Sequence, residues 1–478
     1  MRQKRETEVA ETLDARVRAA LVAPRADRRT RYDAGRAVRE AVPLGAHAEL
    51  GAPPQRDVLK TLRAQDGGRV AALVPIRWGR MSVSPFTFYR GAAAAMAADL
   101  AATPRTDLRV RLCGDAHLSN FGLFAAPDRR LVFDLNDFDE ALPGPFEWDV
   151  KRLAASLAVA GRNNGLAAGQ GAAAAAAAVR AYRAALATAA AADPLDVWYY
   201  RVELEAVIAT LRRAGARRKA RRFDAAGAKA ERKGRLRAFA RLTEVVDGRR
   251  RIREQPPLIT RFPPAALDAE LDRVADFFAA YQATLTEDRR YVLARYALRD
   301  LSSKVVGVGS VGTRCLLALF ESGDGDPLFL QLKEAGPSVL EPYLGAHPAG
   351  HGGQRVVEGQ RVLQTAPDVF LGWSRYEDAA GGHDYYVRQL WDGKGSVVVE
   401  ELGPKNLARY AELCGTVLAR AHARSGDAAA ISGYLGDDDA FDRAVTAFAT
   451  AYADRNDADY RTITSAIGSG DLPVVRNA

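Results

Sequence analysis

Cysteine is nearly absent: Cys113, Cys315 and Cys414 are the only three in 478 residues. They show no CxxC spacing and are too few for a disulfide framework, which excludes a disulfide-stapled scaffold. Few cysteines in a chain of this size fit a reducing compartment, and a cytoplasmic setting is expected. Histidine is also scarce, with six in all. Long apolar runs are missing. The most apolar stretch, Gly165 to Pro194, is mostly alanine and is interrupted by Arg180 and Arg183, so it reads as a soluble helix rather than a membrane span. The opening MRQKRETEVAETLDARVRAAL is charged and lacks the apolar core of a secretory signal.

Arginine far outnumbers lysine, and the formal net charge is +9 with a pI near 9.4. That balance favours acidic partners such as nucleotides, phosphorylated metabolites or anionic surfaces, without choosing among them. Hydrophobic residues make up 48% and charged residues 27%, ordinary globular values that allow a sizeable core. Four regions are expected. Residues 1–73 read as a polar N-terminal extension on the surface, and residues 74–300 as a mostly helical lobe. Residues 301–395 read as a β-rich lobe, and residues 396–478 as helices that complete the first lobe. Residues 166–300 look almost wholly helical. Within them, 212–254 is strongly basic and reads as a solvated helical face plus a loop; without interleaved aromatics it does not suggest nucleic-acid readout.

Chemistry-bearing residues fall into two groups. The first lies in CGDAHLSNFGLFAAPDRRLVFDLNDFDEA. Leu108 to Leu112 alternates apolar and basic residues, as a half-buried strand does. Asp115 follows it, Asn120 comes five residues later, and Asp137 lies beyond a hairpin formed by 121–124 and 131–134. Phosphoryl transfer needs a carboxylate to orient and deprotonate the attacking hydroxyl, and oxygen ligands to hold Mg²⁺ on the nucleotide phosphates. Asp115 suits the first role, with His117 bracing the loop, and Asn120 and Asp137 suit the second. Asp134 and Asp139 compete with Asp137 for the metal. A metallophosphoesterase, suggested by GDAH, would need several histidine ligands and a Gly-Asn-His element that this chain does not have.

The second group comes some two hundred residues later. KVVGVGSVGTRCLLALF places Gly307, Gly309 and Gly312 between two strand-like arms. Glycines there let backbone approach phosphates and take positive φ. A strand, not a helix, follows, which favours a kinase-type loop over a dinucleotide fold. In PLFLQLKEA, Lys333 shares a strand face with Phe329 and Gln331, and a compact ammonium there can reach phosphates. The helix GQRVVEGQRVLQ carries Glu358, the expected partner of Lys333, with Glu334 and Glu341 as alternatives. Trp391 to Gly395 has the character of a hinge. Gln331 departs from the small apolar residue that usually packs on adenine at that position.

The segments RMSVSPFTFYRG, GDAHLSNFG, FDLNDFDEALPGPFEWDVKRLAAS and LARAHARSGD closely resemble the bacterial family known as domain of unknown function 2252, over about residues 25 to 460. Its catalytic-loop segment is similar to that of the aminoglycoside and choline kinase-type phosphotransferases; NDFDEA resembles their metal motif. The resemblance implies an α+β, protein-kinase-like two-lobed fold. Because the Asp loop precedes the glycine loop, the fold is expected to be circularly permuted, with the helical catalytic lobe first, the glycine-loop sheet second, and extra helices. The expected activity is ATP- and Mg²⁺-dependent phosphorylation of a hydroxyl on a small-molecule or protein acceptor. A non-catalytic nucleotide-binding scaffold and a nucleotidyl transferase are the alternatives. All of this requires Lys333 and the Asp115/Asn120/Asp137 cluster to face one another across a single cleft.

Overall fold

The computed structural model describes residues 21–476, except 52, 206–208, 210–234, 247, 264–269, 379–380, 391–394 and 396. It is a mixed α+β structure. Helix α1 (Arg28–Ala37) is capped by Asp27, whose carboxylate accepts from the Thr30 N–H at 2.7 Å, and α2 (Val58–Ala64) is capped in the same way by Asp57. Helices α3 (Val74–Met81) and α4 (Pro85–Gly91) each carry proline in the first turn, where its missing N–H costs nothing. Ser84 and Thr87 add a reciprocal capping box to α4. Helix α5 (Ala93–Ala101) follows.

Strand β1 (Arg109–Leu112) pairs antiparallel with β4 (Leu142–Pro145). Between them β2 (Phe121–Ala125) and β3 (Leu131–Leu135) form the expected hairpin. The short β5 (Val202–Glu203) extends it. Helices α6 (Phe146–Asn163), α7 (Gln170–Ala191) and α8 (Pro194–Tyr199) come before β5. Then follow α9 (Arg235–Leu242), the hairpin β6 (Thr243–Val246) and β7 (Arg249–Ile252), β8 (Ile259–Arg261), α10 (Leu271–Ala283) and α11 (Glu287–Leu293).

A sheet of six antiparallel strands is the second feature. It takes in β8, β9 (Tyr296–Lys304), β10 (Cys315–Ser322), β11 (Pro327–Glu334), β12 (Gly372–Asp378) and β13 (Gly381–Gln389), in the spatial order β12-β13-β11-β10-β9-β8. Helices α12 (Glu341–Leu344) and α13 (Gly352–Leu363) lie between β11 and β12. The chain closes with α14 (Pro404–Ala423), α15 (Ala428–Leu435) and α16 (Ala440–Gly468).

Alternation in β11 sorts its side chains as the sequence predicts. Leu328, Leu330 and Leu332 pack with Phe277 and Tyr281 of α10. Phe329 points the other way, against Phe239 and Leu242 of α9 and Ile252 of β7. The largest core joins α6, α7, α14 and α16 to the β1–β4 strands. Small residues let helices α7 and α14 approach closely: a Cβ at Gly415 would lie 2.2 Å from the Ala178 carbonyl oxygen. Helix α6 is buried on almost every side, including Glu147, Asp149, Lys151 and Arg152, so each of these charges needs a partner within the protein. All three cysteines are free and buried. Among the described residues no helix is long and apolar enough to cross a membrane.

Three expectations are corrected. Residues 166–300 are not almost wholly helical, because they contain β5 to β8 and the start of β9. The strongly basic GRRRIRE forms β7: Ile252 turns inward, while Arg250 pairs with Glu321 at 3.0 Å and lies over the Phe239 ring. Residues 212–234 of that basic segment lie outside the described residues. Finally, the polar N-terminal stretch is exposed over 21–30 but packs into the protein further along, where a surface arm is expected. Leu44, His47, Val58 and Leu62 are buried, and Arg56 bridges Asp99 and Asp459, both at 2.6 Å. Residues 1–20 of that extension lie outside the described residues.

His47 has no exposure to solvent, with Nε2 2.6 Å from the Tyr434 hydroxyl and edge-on contacts to Tyr434 and Phe441. Burial lowers its pKa from 6.5 to about 3, and the Lys151 charge adds to the effect. The native state therefore holds His47 neutral while the unfolded chain takes a proton below pH 6.5. Its contribution to stability is complete above pH 6.5 and is lost as pH falls from 6.5 towards 3, at about 1.4 kcal/mol per pH unit. Urea unfolding at pH 6.5 and 4.5 should show His47→Gln losing roughly 2–3 kcal/mol less than wild type over that interval. Equal losses would show that the ring is protonated in the native state.

Candidate active site

Helix α6 builds the Asp115 loop. The Asp149 carboxylate accepts the N–H groups of Cys113 and Gly114 at 2.8 and 3.0 Å, fixing the turn that leaves β1. Gly114 has φ +81°, and a Cβ there would lie 2.3 Å from the Glu140 carbonyl oxygen, so only glycine fits. One turn further along α6, Arg152 Nη2 reaches Asp115 Oδ1 at 2.7 Å. The same guanidinium lies 3.9 Å from the centre of the Tyr89 ring, and the Tyr89 hydroxyl donates to the Arg152 carbonyl at 2.7 Å. Asn120 Nδ2 donates to the Asp115 carbonyl at 2.6 Å. His117 Nε2 is 3.5 Å from Asp115 Oδ2. Burial pushes the Asp115 pKa up against the pull of Arg152. Burial and the Arg152 and Arg90 charges hold His117 neutral.

The acidic loop after β3 divides its carboxylates. Asp134 is paired with Arg420 of α14 and also accepts from the N–H and hydroxyl of Thr365, at 3.0 and 2.8 Å. It is therefore tied to structure. Asp139 takes Lys333 Nζ at 2.6 Å and the Tyr386 hydroxyl at 2.6 Å. Burial alone would raise its pKa, but Lys333 and Tyr386 together bring it below the ordinary value. Asp137, two residues before it, has its pKa raised by burial and by the Asp139 charge. One strand residue thus lands on the acidic loop from 194 positions away.

The glycine loop runs from β9 to β10 and rests on the α3–α4 region. Arg80 Nη1 donates to the Gly307 carbonyl at 2.7 Å, the Val70 N–H to Gly312 at 2.8 Å, and Arg69 to Val311. Gly307 and Gly312 have φ of +75° and +94°. Gly309 does not take positive φ; its role is close approach, since a Cβ there would lie 3.2 Å from the Arg90 carbonyl oxygen.

Glu358 does not pair with Lys333. It accepts from Gln354 at 2.7 Å and sits 3.5 Å from His347. Glu334 pairs with Arg314 and His383, and Glu341 with Arg355. The helix-borne partner is replaced by Asp139 from the metal-loop segment itself. Gln331 is buried and polar: it donates to Cys315 Sγ at 3.4 Å and accepts from Arg388 Nε at 3.2 Å. A cavity of about 300 Å³ adjoins the site, with Asn136, Gln360, Phe370 and Arg388 in its wall. Of the expected hinge, 391–394 lie outside the described residues. Gly395 pairs with Leu123 of β2, both hydrogen bonds being 2.8 Å.

A family described as "Uncharacterized protein conserved in bacteria (DUF2252)" matches residues 69–466. The chain belongs to that family. Comparison with curated proteins and with solved structures finds no match. In this DUF2252 protein, Arg90, Asp149, Arg152, Tyr386 and Arg388 join the site without having been singled out from sequence. The first lies in RMSVSPFTFYRG and the next two in FEWDVKRLAAS, segments noted for their family resemblance but not for chemistry. Asp149 and Arg152 stand three apart, the spacing that puts two side chains on one helix face. Among the described residues no three His, Cys, Asp or Glu side chains are arranged to hold a metal unaided.

Removing one partner of a buried ion pair leaves an uncompensated charge. Asp139→Asn should therefore lower unfolding free energy by about 3–5 kcal/mol, whereas Glu358→Gln should stay within roughly 0.5 kcal/mol of wild type. Urea titration of the two variants measures this directly, and the reverse ranking would restore Glu358 as the partner of Lys333.

Proposed function

We propose that this protein is a Mg²⁺-dependent ATP phosphotransferase of permuted kinase-like architecture, acting on a hydroxyl acceptor. The observation that carries the reading is the contact of Lys333 with Asp139, which joins the sheet that follows the glycine loop to the acidic loop that carries Asp137. Connectivity supports it. Counting from β9, the glycine loop joins the first two strands, the lysine is on the third, and a helix follows before the fourth, as in the small lobe of a kinase.

Asp115 is the group to orient the acceptor hydroxyl and take its proton. Its carboxylate is held by Arg152 and its backbone by Asn120, so the oxygens are fixed before substrate arrives. Asn120 and Asp137 offer hard oxygen donors suited to Mg²⁺, which takes one or two protein ligands and completes its shell with phosphate oxygens and water. When bound, the ion would neutralise charge on the phosphates. Lys333 keeps its ammonium charged beside Asp139, well above the ordinary lysine range, and stands ready for the phosphate chain. Gln331 makes the region where a base would pack more polar than in a typical kinase.

Mg·ATP should raise the melting temperature of wild type and fail to do so for Lys333→Ala. Asp115→Asn leaves Arg152 without its counter-charge and should be less stable, yet at a temperature where it is folded it should lose about 10²- to 10⁴-fold in turnover. Labelled ATP separates the chemistries: γ-label in product marks a kinase, α-label a nucleotidyl transferase. Mg·ATP binding with no turnover would favour a nucleotide-binding scaffold, and the phosphotransferase reading would then fail.

A further inference from the structure

Two guanidinium groups at the cleft have no carboxylate of their own. Arg152 is matched by Asp115, and Lys333 by Asp139. Arg90, at the C-terminal end of α4, makes no side-chain hydrogen bond or ion pair among the described residues, and its Nε is buried without a partner. Asp115, Asp137 and Glu400 act on it through space but do not reach it. It sits beneath the glycine loop, since the Arg90 backbone is what Gly309 closes upon. Arg388 of β13 faces the same side of the sheet as Lys333 and Gln331. Its guanidinium lies 5.7 Å from the centre of the Tyr386 ring, and among the described residues it donates to the neutral Gln331. Arg388 too makes no ion pair among the described residues, although Asp137 and Asp139 lie within electrostatic range.

A cation withdrawn from water without a counter-charge is destabilising. Two of them, each within electrostatic range of Asp137, make a site that is incomplete until an anion enters. The arrangement suits an extended, multiply charged ligand better than a single carboxylate. Arginine offers a planar fork of donors that can hold two phosphate oxygens at once.

We infer that Arg90 and Arg388 form a two-arginine clamp for a triphosphate chain, Arg90 holding the terminal phosphoryl group next to Asp115 and Arg388 holding the inner phosphates beside Lys333. The name of the ligand, a nucleoside triphosphate, rests on the phosphotransferase reading; the demand for a linear polyanion does not. In the transfer step, the acceptor oxygen forms the new P–O bond while the bond to the leaving diphosphate oxygen breaks. The acceptor proton goes to Asp115. Arg90 offsets the charge on the equatorial oxygens, a role in which an arginine contributes about 10³-fold or more.

Isothermal titration calorimetry with Mg²⁺ and inorganic tripolyphosphate tests the clamp without assuming a kinase. Wild type should bind. Arg90→Gln and Arg388→Gln should each weaken binding by about tenfold or more, while Arg273→Gln, an exposed arginine paired with Glu270, should not. Arg90→Gln should melt at or above the wild-type temperature, because it removes a cation that burial disfavours; a merely structural arginine would lower it. With γ-labelled ATP, Arg90→Gln should chiefly lower kcat and Arg388→Gln chiefly raise KM, and Arg90→Lys should recover binding more than rate. The clamp is overturned if wild type ignores tripolyphosphate or either variant binds it as wild type does. Arginine-dependent tripolyphosphate binding without ATP turnover would sink the phosphotransferase reading and leave the clamp standing.

Discussion

The ion pair between Lys333 and Asp139 is the constraint on which the rest of the site depends. Lys333 is 3% exposed at its side chain, so its ammonium cannot be satisfied by water. The Tyr386 hydroxyl reaches the other oxygen of the same carboxylate. Strands β11 and β13 are thus both fastened to one residue of the acidic loop. Because the pair joins segments 194 positions apart, it fixes how the sheet sits against the loop. It also consumes Asp139, which leaves Asp137 as the less committed carboxylate of the two. Neighbouring acids with opposite shifts are a common arrangement where one must bind structure and the other must bind something that comes and goes.

The Asp115 loop depends on α6 in a comparable way. A loop of small polar residues has little to hold it in one shape. Here Asp149 grips its backbone and Arg152 the Asp115 carboxylate, both from a helix buried on nearly all sides. His422 of α14 adds to this, lying 3.3 Å from Asp149 with its other ring nitrogen 2.9 Å from the Tyr182 hydroxyl. The geometry at Asp115 is therefore a property of the helical core, and the loop needs no rigidity of its own.

Much of this was legible in sequence. The alternation of Leu328 to Lys333 gave the correct faces for β11, and the glycine spacing lay between two strands as expected. Helix α13 was bounded to within two residues. What could not be read was pairing. Spacing places Glu358 on the right helix but says nothing about whether its side chain points at the cleft, and a lysine with two acids across the cleft has no need of a third. Strand β12, GWSRYED, reads as polar because it lies at the sheet edge, and its apolar contribution is mostly Trp373 and Tyr376. Strand β4, LPGP, carries the residues that usually argue against a strand; it survives as one edge of a two-stranded pair. The basic hairpin β6–β7 was concealed by arginines that face outward while a single isoleucine packs inward.

Chain order matters less than which acceptors and donors remain after folding. The glycine loop spends the carbonyls of Gly307, Val311 and Gly312 on Arg80, Arg69 and the Val70 N–H. Carbonyl oxygens would repel a phosphate, so turning them towards the helical side removes a source of repulsion from the cleft. At the opposite end Gly395 is laced to Leu123, and a Cβ at Gly122 would lie 2.9 Å from the Gly395 carbonyl oxygen. The glycine loop is thus held by two arginine side chains and one backbone bond, and the far end by a backbone pair at Gly395. A site assembled in this way is indifferent to where the chain begins, since each lobe supplies its charges through residues fixed by its own core.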